Sequence, residues 1–217
     1  MKLTAPVIAL SATLLLAGCA SQTPTPSEYS GFLSDYSQLQ PAQSASGAPV
    51  MRWVSPDFTL EKYRSVLVER PHFYPSPTPD AQVSQQTLDE IALYLQQAMR
   101  LELAGRLRIV EYPDTDTLVL RSAITAVNLS PEGLKVYEVV PVALVAAAAS
   151  TAAGTRDLNT EIYIELEAID ARNSQPMARV VRKGHGLQLE NDSTQLRLKD
   201  ITPVLDVWAK DARSFNP

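Results

Sequence analysis

The sequence has a single cysteine, Cys19, among 217 residues. One thiol cannot close an intrachain disulfide, so a mature domain must be held by its hydrophobic core alone, which about 200 residues permit. Only two histidines are present, His72 and His185, and no second cysteine stands near either to complete a zinc set. Cationic residues are the minority, 19 Lys and Arg against 24 Asp and Glu, giving a net charge of −5. Such a chain lacks the basic footprint that nucleic acid demands. No nucleophile elbow of the G-x-S-x-G type, no glycine-rich phosphate loop and no H-E-x-x-H occurs. No apolar run approaches the roughly 20 residues that a membrane-spanning helix needs.

What is present begins at the N-terminus. Lys2 supplies a positive start, Ala5 to Ala17 is nearly all apolar, and Leu16-Ala17-Gly18-Cys19 follows. The run has the length of a secretory signal core. Small side chains ahead of Cys19 let a peptidase reach the backbone, and the thiol can take a diacylglycerol. The stretch resembles the bacterial lipobox. That resemblance implies cleavage after a signal peptide of residues 1–18, a lipid thioether on Cys19 and an acylated amine. One acyl chain, at about 0.8 kcal/mol per buried CH₂, holds a protein only weakly, whereas several hold it firmly. Ala20 and Ser21 stand where lipoprotein sorting uses Asp for inner-membrane retention. The expected address is therefore the outer membrane, with the domain facing the periplasm.

Residues 19–50 read as a lipidated tether with a short amphipathic segment. "ASQTPTPS" (Ala20 to Ser27) is polar and proline-containing, hence extended. Tyr29, Phe32, Leu33, Tyr36 and Leu39 then fall on one side of a short helix or turn. An apolar stripe in a solvated leader needs something to dock on, either its own domain or a partner. These five residues are the candidate partner contact. A loop, "PAQSASGAP", follows.

Residues 51–217 read as one domain. Tyr63 to Phe73 alternates as a strand. Asp80 can cap a helix running to about Ala104, with Leu88, Ile91, Leu95 and Met99 on one stripe. "RLRIVEY" and Asp116 to Leu129 are strands. Leu158 to Asp170 alternates, placing Ile162, Ile164, Leu166 and Ala168 on one face and Glu161, Tyr163, Glu165 and Glu167 on the other. The pattern predicts one buried and one wet face. "MARVVRKGHGLQLE" returns as its partner strand, with Arg179, Arg182 and Lys183 opposite the glutamates. Asp200 opens a last helix with Pro203 in its first turn and Ile201, Val204, Leu205 and Trp208 inward. The predicted class is α+β, a two-layer sandwich with a mainly antiparallel sheet covered by two amphipathic helices.

Between the strands lies "VVPVALVAAAASTAAG", Val139 to Gly154. As a helix it would be about 24 Å long, short of a bilayer core of about 30 Å. It reads as a buried or surface-covering helix, or as a segment that meets lipid or a second subunit. Chemistry is sparse. His185, between Gly184 and Gly186, could serve a hydrolase but fits a strand beside a bulge. Asp114 and Asp116 lack the remaining ligands of a calcium loop. No metal or cofactor is expected.

The lipobox, "SGFLSDYSQL", "TLVLRSAIT" and "VVPVALVAAAA" followed by Gly154 together resemble the Gram-negative lipoproteins grouped as domain of unknown function 3313. The resemblance covers nearly all of the mature chain, and "SGFLSDYSQL" is its most specific element. "DARNSQP" departs from the turn expected after the acidic strand. The expected function is that of a non-enzymatic, outer-membrane-anchored lipoprotein with a binding or assembly role. Its partners would be the bilayer, through the acyl anchor, and a protein or other envelope component. A membrane-active or oligomeric role for residues 139–154 and a hydrolase are the alternatives.

Overall fold

The computed structural model describes residues 23–131 and 157–217. The signal segment, Cys19 and the apolar stretch Val139 to Gly154 lie outside them. Eight strands and two helices follow in chain order: β1 (Gln40–Gln43), β2 (Pro49–Val54), β3 (Ser65–Val68), β4 (His72–Phe73), α1 (Gln85–Leu103), β5 (Arg108–Ile109), β6 (Thr117–Pro131), β7 (Leu158–Asp170), β8 (Pro176–His185) and α2 (Leu198–Ser214). All strands join one sheet in the order β1-β2-β8-β7-β6-β3-β5, with β4 also on β6. The pairs from β1 to β6 along this order are antiparallel. β3 runs parallel to both β5 and β6, and β4 parallel to β6. The class is α+β with a mixed, mainly antiparallel sheet.

Burial explains the arrangement. Leu88, Ile91, Leu95 and Met99 of α1 and Ile201, Leu205 and Trp208 of α2 share one cluster with Val66, Leu118, Ile124, Ile162 and Ile164 of the strands. Each such side chain contributes about 1.5–3 kcal/mol when fully buried. In β6 the inward residues are Leu118, Leu120 and Ile124, then Val127 and Leu129. A bulge between Ile124 and Ala126 causes this switch from even to odd positions. Helix α1 starts one turn later than expected. Ser84, not Asp80, is the N-cap, and its Oγ accepts the Thr87 N–H at 3.1 Å. Asp80 instead accepts from Gln82 and Val83 in the preceding turn. In α2 the N-cap is Arg197, whose backbone N–H donates to Asp200 at 2.9 Å.

Three features depart from the sequence pattern. Gln40 to Val54 forms a hairpin at the sheet edge where a loop was expected, with Gly47 turning at φ +83°. The leader's apolar stripe, read as a short helix or turn, is built from bends and a turn. The glutamate face of β7 is not wet: Glu165 is fully buried, because the leader lies across it. Arg179 and Lys183 do face that side, but Arg182 points through the sheet to Asp211 of α2. The glycines around His185 serve helix packing. A Cβ on Gly184 would come within 2.2 Å of Val204, and one on Gly186 within 2.6 Å of the Asp200 carbonyl.

Candidate functional site

The leader reaches the sheet at once. Pro24 is already buried. Pro26–Glu28 forms a single 3-10 turn in which Glu28 accepts the Thr25 N–H at 2.6 Å and its hydroxyl at 2.8 Å. The other oxygen of Glu28 accepts from Lys183 Nζ at 3.2 Å and lies 2.9 Å from the Tyr163 hydroxyl. Burial pushes the Glu28 carboxyl upward, but these hydrogen bonds and Lys183 outweigh it and hold the group below the usual range. Tyr163, wedged between Glu28 and Glu161, is held neutral to well above its ordinary pKa by burial and by both carboxylates.

Next the chain wraps Glu165. Its Oε1 accepts the Ser30 N–H at 2.7 Å. Its Oε2 accepts the Tyr36 hydroxyl at 2.5 Å and the Leu33 N–H at 3.3 Å. Tyr36 in turn accepts the Gly31 N–H at 2.8 Å, and Gly31 sits at φ +91°, where a side chain would be strained. Burial first, then Glu165, pushes the Tyr36 hydroxyl far up in pKa, so it stays a donor. Tyr29 stacks on Tyr36 with ring centroids 4.7 Å apart. Beyond it, Arg179 bonds Glu167 at 2.8 Å and Ser34 at 3.1 Å while lying over Trp53.

The five stripe residues therefore share one place. Leu33 and Leu39 are buried with Val181, and Tyr29, Phe32 and Tyr36 pack half-buried beside them with Met51 and Trp53. Phe32 also meets His72 edge-on at 5.2 Å and lies beneath Arg121. His185 is half-exposed, with Nδ1 3.5 Å from Glu161. It lines neither the apolar cavity on the helix-bearing face of the sheet nor the more polar concavity beside the leader. Asp114 and Asp116 form the turn into β6, where Asp114 N–H donates to Thr117. No group of three His, Cys, Asp or Glu with metal-holding geometry occurs among the described residues. Nor is any helix among them long and apolar enough to cross a membrane.

The other face of the sheet holds a cavity of about 300 Å³. Its lining includes Val66, Leu95, Leu118, Leu120, Ile164 and Trp208, together with the charged Arg52, Arg106, Arg182 and Asp211. A second concavity of about 490 Å³ beside the leader is more polar, lined by Phe32, Val119, Arg121, Ile169 and Arg179 among others. Sequence pattern missed the apolar cavity and the Arg182–Asp211 pair. The alternation of β8 was their one signal, since it puts Arg182 on the face opposite Arg179.

The family model described as "Protein of unknown function (DUF3313)" matches residues 28–212, from the Glu28 latch through most of α2. The chain belongs to this family. It is 44% identical over 212 residues to "Uncharacterized lipoprotein YdcL" of Escherichia coli (strain K12), covering 98% of this chain and 96% of that protein. The YdcL protein of Escherichia coli O157:H7 matches to the same extent. Among solved structures, the PelC dodecamer from Paraburkholderia phytofirmans is 12% identical with a TM-score of 0.39, covering 75% of this chain and 96% of that one. The family thus includes proteins named as lipoproteins, and its description assigns no activity.

Proposed function

We propose that the protein is a lipid-anchored envelope protein that works by binding rather than catalysis. The signal peptide of residues 1–18 is removed, Cys19 carries the acyl chains, and the lipidated segment 19–50 leads into the domain of residues 51–217. That domain sits at the periplasmic face of the outer membrane as a two-layer sandwich, its two helices over one side of the sheet. One observation carries the reading: the leader is latched to the sheet from Glu28 onward, nine positions after Cys19. Nine extended residues span at most about 32 Å. The anchor therefore holds the domain against the lipid surface. The partner is a protein or other envelope component that meets the exposed sides of Tyr29, Phe32 and Tyr36, above the buried Leu33 and Leu39.

Metabolic labelling with an alkyne fatty acid tests the anchor. The native protein incorporates label and fractionates with outer membrane, whereas Cys19→Ala does neither. A Cys19→Ala protein retained in that fraction, with no acyl mass on the native form, refutes it. A photo-crosslinker at Phe32 tests the partner surface in cells. A reproducible crosslinked species is expected, and its absence when protein and anchor are intact counts against the binding reading.

A further inference from the structure

The apolar cavity has a composition that the leader site does not explain. Its volume of about 300 Å³ falls at the lower end of ligand pockets, which pair apolar walls with a few placed polar groups. The walls are mainly aliphatic, with Phe58, Trp208 and Phe215 as the aromatics, and the lining also carries charged groups. Three of those are arginines, Arg52, Arg106 and Arg182, against one carboxylate, Asp211. Asp211 is already engaged: its two oxygens accept from Ser46 N–H at 2.7 Å, Ser46 Oγ at 2.9 Å and Arg182 Nη1 at 2.9 Å.

The arginines are not equally satisfied. Arg182 has a side chain only 9% exposed, and its Nε has no hydrogen-bond partner among the described residues. An unpaired donor on a buried guanidinium is costly and calls for an acceptor. Arg52 makes one long contact, 3.5 Å to the Gln43 carbonyl, and lies over Phe215. Arg106 is exposed at the mouth and donates to the Arg213 and Phe215 carbonyls, both neutral acceptors. Burial pulls the Arg182 pKa down despite Asp211, as expected for a cation in an apolar wall.

We propose that this cavity binds a single-chain amphiphile with an anionic head, a fatty-acid carboxylate or an alkyl phosphate. The alkyl chain lies between the sheet and the helices, against Leu95, Leu118, Ile164 and Trp208. The head sits at the mouth, where Arg52 and Arg106 supply charge. The site is on the sheet face opposite the leader, so its occupancy does not depend on the anchor.

The test uses the full chain with Cys19→Ser, which cannot be acylated, titrated with dodecanoate, dodecyl phosphate and uncharged dodecanol by native mass spectrometry and calorimetry. One-to-one saturable binding is expected, with an anionic ligand about tenfold tighter than dodecanol, the worth of one charge-assisted hydrogen bond. Preference for dodecanoate assigns a free fatty acid, and preference for dodecyl phosphate a phosphate-headed lipid; both support the site. The double variant Arg52→Gln/Arg106→Gln should bring the anionic ligands down to the dodecanol level while leaving the melting temperature in place. Ala178→Leu, which extends into the cavity from β8, should weaken all three ligands. Absence of saturable binding, equal affinity for dodecanol and the anions, or affinities unmoved by the arginine variant would overturn the proposal. Failure of acyl labelling at Cys19 would leave these results intact, so the two readings fail separately.

Discussion

Glu165 sits with no exposed surface on a strand whose neighbouring glutamates belong, by pattern, to solvent. A carboxylate taken out of water loses several kcal/mol of hydration unless donors replace it. Here the donors are two backbone N–H groups and a phenol, all from the leader, at 2.5 to 3.3 Å. The group is thus a receptor for a specific stretch of its own chain. Ser30, Leu33 and Tyr36 lose a shared acceptor in Glu165→Ala. Hydrogen bonds to charged groups are worth about 1.5–3 kcal/mol each and do not add fully, so the variant should lose about 3 kcal/mol in urea unfolding. A loss below about 1 kcal/mol would mean that the leader is held by its apolar contacts alone.

At the level of elements, what was readable in the sequence divides by range. Strand β7 and helix α2 were legible because their period is local: Ile162, Ile164, Leu166 and Ala168 repeat every second residue, and Ile201, Leu205 and Trp208 every third or fourth. The β1–β2 hairpin was not, since Gln40-Pro41-Ala42-Gln43 has neither alternation nor β-branched residues and is a strand only because β2 supplies partners. The five-residue stripe had helical spacing, yet Gly31 and the contacts to Glu165 select bends. Period also revealed that β7 has a glutamate face without revealing what lies on it. That information is held by a segment some 130 positions away. The glycines flanking His185 mark where α2 presses on β8 and on the chain that follows it. Gly186→Ala tests this: its Cβ meets a backbone carbonyl that cannot rotate away. Overpacking of this kind should cost about 2–3 kcal/mol, read as a lower denaturation midpoint with unchanged slope.

For the whole molecule, the leader is the only described segment joining the sheet to the N-terminal side, and its first ionic contact is Glu28 with Lys183. The carboxyl of Glu28 titrates below its ordinary 4.5 in the folded state. Its contribution is therefore complete above that range and is lost as pH falls through the lowered value. Hydrogen exchange across 23–36 should show protection that is flat from pH 7 to about 5 and declines below about 4.5, while β7 stays protected. Glu28→Gln should already be less protected at neutral pH, with a flatter acid profile. An acid profile identical to that of the unsubstituted chain would assign the change to other carboxylates. The order of these contacts along the chain has a mechanical consequence. A pull arriving from the N-terminal side must part Glu28 from Lys183 first, then the grip on Glu165, then the β1–β2 hairpin, before the core strands can be separated. The leader is in this sense a graded shock absorber in series with whatever holds residue 19, its side-chain grips on β7 and β8 yielding before the backbone ladders of the core.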